Sequence, residues 1–182
     1  GTRSEAIDDE VTQLLYKSGC RNVAYAPESG SERMLVAIKK KVKLSRMIKS
    51  LRGAVKAKIN VKINIIIGFP SETHKDILLT FWQIIKFSFA GAHDISISVF
   101  APYPGSELYN DLIKKDIINH DDEYWQKLAY RDFALPKSYC ENISSKKLLF
   151  YTWLGRVLFY FSNYIFRPTR FYTTSKNLIT RK

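Results

Sequence analysis

Residues 61–73 read VKINIIIGFPSET, and this stretch decides the fold. Ile63, Ile65, Ile66 and Ile67 form a nearly continuous β-branched run, the pattern of a parallel strand covered on both faces. Gly68 and Pro70 stop the ladder, and Ser71 or Thr73 supplies a cap for the helix that follows. Ligands and chemistry collect just past the carboxyl ends of such strands. The junction at Gly68 is therefore the first place to look for a site.

Working outward, the same grammar repeats on both sides. Upstream, residues 4–18 carry Ile7, Val11, Leu14 and Leu15 at helical spacing and stop at Gly19. A short strand is expected from Asn22 to Ala26, then the polar loop PESGS, with Ser31 capping a helix over Met34, Leu35 and Ile38. A further helix starts near Ser45 and places Ile48, Leu51 and Val55 on one side. Downstream, Leu78, Trp82, Ile85 and Phe89 mark a long helix. Ile95, Ile97 and Val99 alternate with Ser96 and Ser98 in a third strand, Asp94 to Ala101, which exits through PYPGS with Ser106 as the next cap. The order α-β-α-α-β-α-β-α implies crossover connections and a parallel sheet. Three strands do not close a barrel and leave two edges to be covered.

Past Ile118 the pattern changes. NHDDEYWQKL reads as a short helix, Pro136 breaks the chain, and Ser144 or Ser145 opens a long apolar helix up to Phe166, with a basic helix after Pro168. A spanning helix needs about 20 apolar residues, and an arginine near its centre costs roughly 2.5–3.5 kcal/mol. Arg156 sits near that centre, so packing on the barrel, or an interfacial position, is expected instead.

Composition bounds the remaining possibilities. The 182 residues suffice for one good core, or for one domain and a tail. Cys20 and Cys140 are the two cysteines, too few for a disulfide scaffold or a four-cysteine metal site. His74, His93 and His120 lack ligand spacing and read as structural. The opening GTRSEAIDDE is polar and no signal peptide, which suits a cytoplasmic protein. It also lacks an initiator methionine, so Gly1 need not be the native start. The formal charge is +12, and no acidic residue follows Glu141. Such a tail suits nucleic acid, an anionic membrane surface or a phosphorylated substrate, or is a solvated basic surface.

Three segments, GCRNVAYAPESGSERMLVAIKK, INIIIGFPSETHKDILLTF and FAPYPGSELY, occur in an order and spacing that resembles the second half of the barrel in radical S-adenosylmethionine enzymes. The nearest branch is the cobalamin-binding-type and methylthiotransferase-like one, and the resemblance covers about residues 4–118. It departs at Ala26, where glycine is usual, at Ser71 in place of glycine, and at Ser106 in place of threonine.

The resemblance implies an α/β fold, a partial parallel (β/α) barrel of about three strands over 1–118. A helical basic C-terminal extension over 119–182 would follow. It also implies a four-iron–four-sulfur cluster on three clustered cysteines and reductive cleavage of S-adenosylmethionine to a 5′-deoxyadenosyl radical, which takes hydrogen from a substrate. Cobalamin is a possible further cofactor. The cluster cysteines would lie in an N-terminal barrel half that this chain does not contain, and any cobalamin-binding domain further upstream. Alone, the chain is expected to be inactive. Cys20 falls at a packing position.

By the same resemblance, Glu28 and Ser29 would meet the methionyl ammonium or ribose, and Lys40 the cofactor carboxylate. Asn64 would bond the ribose and Ile66 contact the adenine. The Gly68 backbone and the strand end at Phe100 and Ala101 would also approach that ring. Bland readings stand beside these. Glu28 also reads as a loop carboxylate at a helix start, Lys40 as one of an exposed lysine run, Asn64 as a satisfied amide and Ile66 as core. Glu72 reads as support for the helix start. A reading of another class is a binding module that uses its basic tail on RNA or an anionic membrane.

Overall fold

The computed structural model describes residues 7–119, 121–129 and 137–172. His120, the Pro136 break and the basic residues beyond Tyr172 lie outside that range. The described residues form, in order, α1 (Asp9–Lys17), β1 (Asn22–Glu28), α2 (Glu32–Ala37), α3 (Leu44–Lys56), β2 (Asn60–Ile67), α4 (His74–Ala90), β3 (Asp94–Val99), α5 (Glu107–Lys114), α6 (Asp122–Ala129) and α7 (Ser145–Phe166). The strands form one parallel sheet in the order β1-β2-β3. This is a three-strand β/α arrangement. β1 runs two residues further than expected, through a bulge between Tyr25 and Glu28 that holds Pro27. A residue without an N–H is tolerated there because the strand lies at the sheet edge.

The caps follow the polar residues. Ser31 and Ser106 accept from the amides of Met34 and Tyr109. Of the two candidates after β2, Thr73 is the one used, in a reciprocal capping box with Asp76. Gly91 ends α4 in the left-handed conformation.

One sheet face is the core. Tyr25, Ile63, Ile65, Ile67, Ile95 and Ile97 point into a cluster closed by Met47 and Leu51 of α3, Phe81 and Ile84 of α4, and Leu148 and Phe159 of α7. The opposite face stays open. Ala24 and Lys62 are exposed, and Ala26, Asn64, Ile66, Ser96 and Ser98 are half-buried. The near-continuous isoleucine run therefore has unequal faces, with Asn64 and Ile66 on the open one.

Two helices bury a different stripe from the one their periodicity favours. On α4 the core face is Ile77, Phe81, Ile84 and Phe87, while Leu78, Trp82 and Phe89 are exposed. On α1, Thr12 is buried and Val11 and Leu14 are exposed. The tail helix α7 packs on α4 and β3. Its Arg156 turns inward and donates to the Ile97 carbonyl at 2.9 Å. Tyr160 donates to Asp94 at 2.6 Å and Asn163 to the Ala92 carbonyl at 2.8 Å. The extension thus closes the β3 side of the sheet. Among the described residues, no helix is long and apolar enough to cross a membrane.

Candidate functional site

The three strand ends converge at one end of the sheet. At the end of β1, Glu28 has a positive φ of 69° and pairs with the Lys40 ammonium at 3.1 Å, both side chains being largely shielded. Lys39 instead meets Glu107, so of the lysine run Lys40 is the one that reaches the strand end. Two residues assigned separately to a ligand are thus brought together as an ion pair. Ser29 is not part of that pair. It is fully buried, 3.3 Å from the Thr80 hydroxyl, and accepts from the Ser31 amide at 3.1 Å. Its hydroxyl is turned towards α4, away from the open face.

Gly30 lets this loop lie on α4. Its amide donates to the Thr80 hydroxyl at 3.0 Å, and a Cβ there would sit 2.6 Å from the Thr80 Cα and 2.8 Å from the Leu79 carbonyl oxygen. Backbone atoms cannot step aside as a side chain can. Gly30→Ala should therefore cost about 2 kcal/mol, in the range of overpacked cores, read as a lower urea midpoint at unchanged slope.

At the end of β2, Gly68 turns with φ +86°. Its amide and that of Phe69 donate to the same oxygen of Glu72. The space a side chain would fill at Gly68 belongs to Leu148, 2.7 Å from such a Cβ. The Gly68 N–H and its open side are thus both taken within the chain.

Glu72 is fully buried, and its other oxygen, Oε1, has no partner among the described residues. Burial pushes its carboxyl up to about 7, against the two backbone hydrogen bonds that lower it. The Glu72 carbonyl accepts from Cys140 and Asn142, and the Pro70 carbonyl from the Glu141 amide, which ties the turn to residues 138–143. From its place in the sequence Glu72 is expected only to support the helix start. Its burial has no signal in the sequence.

Asp76 joins the exits of β1 and β2. It accepts from Ser31 Oγ at 2.6 Å, Thr73 N at 2.9 Å and Thr73 Oγ1 at 2.6 Å, and pairs with Arg33. Burial alone would raise its pKa, but the bonds from Arg33, Ser31 and Thr73 hold it well below the usual carboxylate range.

At the end of β3, the Phe100 amide donates to Ile67 at 2.8 Å, and its ring packs on Phe69 with centroids 5.1 Å apart. Ala101 is half-buried beside it. Ile66 packs against this second cluster.

On the open face, register places Asn64 beside Ser96 and Ile66 beside Ser98. The Lys62–Asp94 pair, 3.2 Å apart, lies at the strand start. The face therefore runs from an ion pair, past an amide and hydroxyls, to an apolar shelf at Ile66, with the Glu28–Lys40 pair to one side. It suits a ligand with a flat ring, hydroxyls and a zwitterionic end. A cavity of about 310 Å³ lies elsewhere, between α2, the Phe69–Ser71 turn and α5, lined by Met34, Ile38, Phe69 and Leu112. None of the eight site residues expected from the sequence lines it.

The described residues do not fit an iron–sulfur cluster. Cys20, expected as a buried packing residue, is half-buried, and its thiol donates to the Asn22 carbonyl. Cys140 meets the Glu72 carbonyl, and burial raises its thiol pKa. Among the described residues, no group of three His, Cys, Asp or Glu is placed to hold a metal. His93 accepts from the Val61 amide at 3.1 Å, and burial pushes its pKa down to about 4.

The chain matches no family model. It is 28% identical over 151 residues to an uncharacterized methyltransferase of Pyrococcus horikoshii, covering 81% of this chain and 31% of that protein. It is 29% identical over 107 residues to the threonylcarbamoyladenosine tRNA methylthiotransferase of Thermotoga maritima, covering 56% of the chain and 24% of that enzyme. Against the tRNA-2-methylthio-N(6)-dimethylallyladenosine synthase of Corynebacterium efficiens it is 27% identical over 130 residues, covering 70% of the chain and 23% of the synthase. The chain thus spans less than a third of the length of these relatives. Over more than half of its own length it is similar to methyltransferases and methylthiotransferases.

Proposed function

We propose that this chain is the C-terminal part of the barrel of a radical S-adenosylmethionine enzyme of the methyl- or methylthiotransferase kind. In that reading the open sheet face is one wall of the cofactor pocket. The observation that carries it is the composition of that face: a parallel sheet leaves an amide, two hydroxyls and an apolar shelf half exposed, with a carboxylate–ammonium pair at the strand ends. Parallel sheets are normally covered on both sides, so an uncovered face of this chemistry is made for something else. The similarity to methylthiotransferases supports the same reading.

Each residue has a task in this proposal. Lys40 and Glu28 exchange their mutual contact for the carboxylate and ammonium of the methionyl group, a swap of charge-assisted hydrogen bonds that leaves no charge unpaired. Asn64 bonds a ribose hydroxyl, and Ile66 packs on the adenine, with the strand end at Phe100 and Ala101 beside it. Gly68 shapes the strand exit through its positive φ, and Ser29 holds the β1 exit on α4. The cofactor supplies the reactive adenosyl group. This chain's two cysteines do not make the three-cysteine ligand set of the iron–sulfur cluster that would cleave it, which in this proposal another part of the full enzyme would hold. Cobalamin draws no support from the relatives.

Saturation-transfer NMR of the chain with S-adenosylhomocysteine tests this. Transfer to the adenine and ribose protons is expected, with weak affinity because one wall is offered. Asn64→Ala should lower that affinity by about fivefold to tenfold, the worth of one hydrogen bond. No transfer, or transfer unchanged in Asn64→Ala, would overturn the assignment of this face. Reading the gene upstream of Gly1 tests the rest: three clustered cysteines in frame are expected, and a start codon immediately before Gly1 would contradict the proposal.

A further inference from the structure

Helix α7 is apolar on its outer side as well as on the side that sends Leu148 and Phe159 into the core. Its buried residues include Thr152, Gly155, Ser162 and Asn163, whereas every exposed position from Leu149 to Phe166 is apolar. Phe150, Trp153, Val157, Phe161 and Ile165 follow one another at steps of three and four, so they form one stripe along the helix. Trp153 is 58%, Phe161 65% and Ile165 60% exposed. The helix α4 packed beside it adds Leu78, Trp82 and Phe89 on its own exposed side, with Phe89 stacked edge-on against Phe166 at 5.1 Å. Soluble domains rarely leave a continuous apolar surface on two neighbouring helices without a partner.

Charge says which partner. Helix α7 has no carboxylate, and the single one on α4, Asp76, is buried. Cations flank the apolar stripe at the start of α7 and on α4 instead. Lys146 and Lys147 lie exposed in the first turn of α7, and Lys75 and Lys86 on the exposed side of α4, with Lys86 over the Trp82 ring at 5.5 Å. Arg156, at the middle of α7, does not interrupt the face because it is turned inward to Ile97. The chain carries no acidic residue after Glu141. A protein interface core tends to exclude lysine, whereas an anionic lipid surface attracts it and takes tryptophan and phenylalanine at headgroup depth. The 22-residue helix, about 33 Å long, presents this stripe along its side.

We propose that the exposed face of α7, continued by α4, lies flat on an anionic membrane surface, with the aromatic stripe at the acyl boundary and the lysines among the headgroups. The proposal stands on this surface alone and does not depend on the cofactor reading. Co-sedimentation of the full chain with vesicles tests it, using phosphatidylcholine alone and phosphatidylcholine mixed with phosphatidylglycerol. Binding is expected to the anionic vesicles, weakened by salt, with a blue shift of tryptophan fluorescence. Trp153→Gln with Phe161→Gln should weaken that binding at least tenfold, since each buried aromatic is worth more than one such factor. Both positions are exposed, so the fold is kept, which far-ultraviolet circular dichroism checks. Equal binding to neutral vesicles, no binding to either, or binding unchanged in the double variant would each overturn the proposal. So would a dimer that the double variant dissociates in the absence of vesicle binding, because a second copy would then cover the face.

Discussion

Replacing Asp76 by alanine should destabilise the chain by about 3–4 kcal/mol, more than any other single change at the strand ends. Three donors lose their acceptor: the fully buried Ser31 hydroxyl and the amide and hydroxyl of Thr73. Each stranded buried donor costs about 1–3 kcal/mol, and loss of a helix cap about 1 kcal/mol, with overlap between them. Arg33 adds little, because its guanidinium is half exposed and turns to water when the carboxylate goes. Urea titration of the two proteins checks the figure, and a difference below about 1 kcal/mol would show that the network is not coupled. Asp76→Asn should fall between the two, as it keeps one acceptor.

The pH dependence of Asp76 has a definite sign. Its folded pKa lies below its unfolded one, so the stabilisation is complete above the ordinary carboxylate range and is lost as pH falls towards the depressed value. Loss of Asp76 also carries a structural consequence, because this carboxylate holds the loop after β1 against the first turn of α4. Glu28 immediately precedes that loop, so the position of the Glu28–Lys40 pair depends on Asp76 although Asp76 contacts neither residue.

The elements themselves were legible because local chemistry and tertiary demand agree there. The isoleucine run, the Gly-Phe-Pro exit and the Ser and Thr caps each fix a strand, a turn or a helix start without help from distant residues. Facing was less legible. Helix α4 is apolar on nearly every side, so its periodicity offers two stripes, and only packing on the sheet selects Ile77, Phe81 and Ile84 over Leu78, Trp82 and Phe89. Helix α7 hides the same ambiguity in reverse, burying Asn163 because its amide serves the Ala92 carbonyl, and Gly155 because a side chain there would meet Ile97 and Phe81.

The site was legible by type and less so by role. Lys40 and Glu28 lie twelve positions apart, and their pairing requires both the positive φ at Glu28 and the path of the chain after α2. Gly68 invites a close ligand approach when read alone. In the fold its open side is filled by Leu148, eighty residues on. Long-range contacts of this kind leave no local pattern.

Glu72 is the second large effect, and its test is a pH titration. A glutamate in the first turn after a strand exit is ordinarily solvated, near 4.5. Here it is enclosed, with Gly68 and Phe69 donating to one oxygen and the other oxygen unpartnered. Enclosure penalises the charged form, the Asp76 carboxylate nearby adds to the penalty, and Arg33 offsets part of it. The folded pKa of about 7 lies above the unfolded 4.5, so the folded state binds more protons across that window. Stability contributed by this group is therefore present below pH 4.5 and falls as pH rises to 7, by about 3 kcal/mol in all. Glu72→Gln keeps an acceptor for the Gly68 amide and cannot ionise. The stability of the wild type relative to Glu72→Gln should thus drop by about 3 kcal/mol between pH 4.5 and 7, measured as urea midpoints at each pH. Asp76 is common to both proteins and titrates below this window, so it cancels in the difference. Parallel curves would mean that Glu72 stays ionised throughout and that its buried charge is compensated. A drop of the expected size would mean that the strand-exit turn is held by a neutral acid below pH 7 and loosens as that acid ionises. The Gly68 turn, at the head of the strand that carries Asn64 and Ile66, would then be tighter in mild acid than at neutral pH.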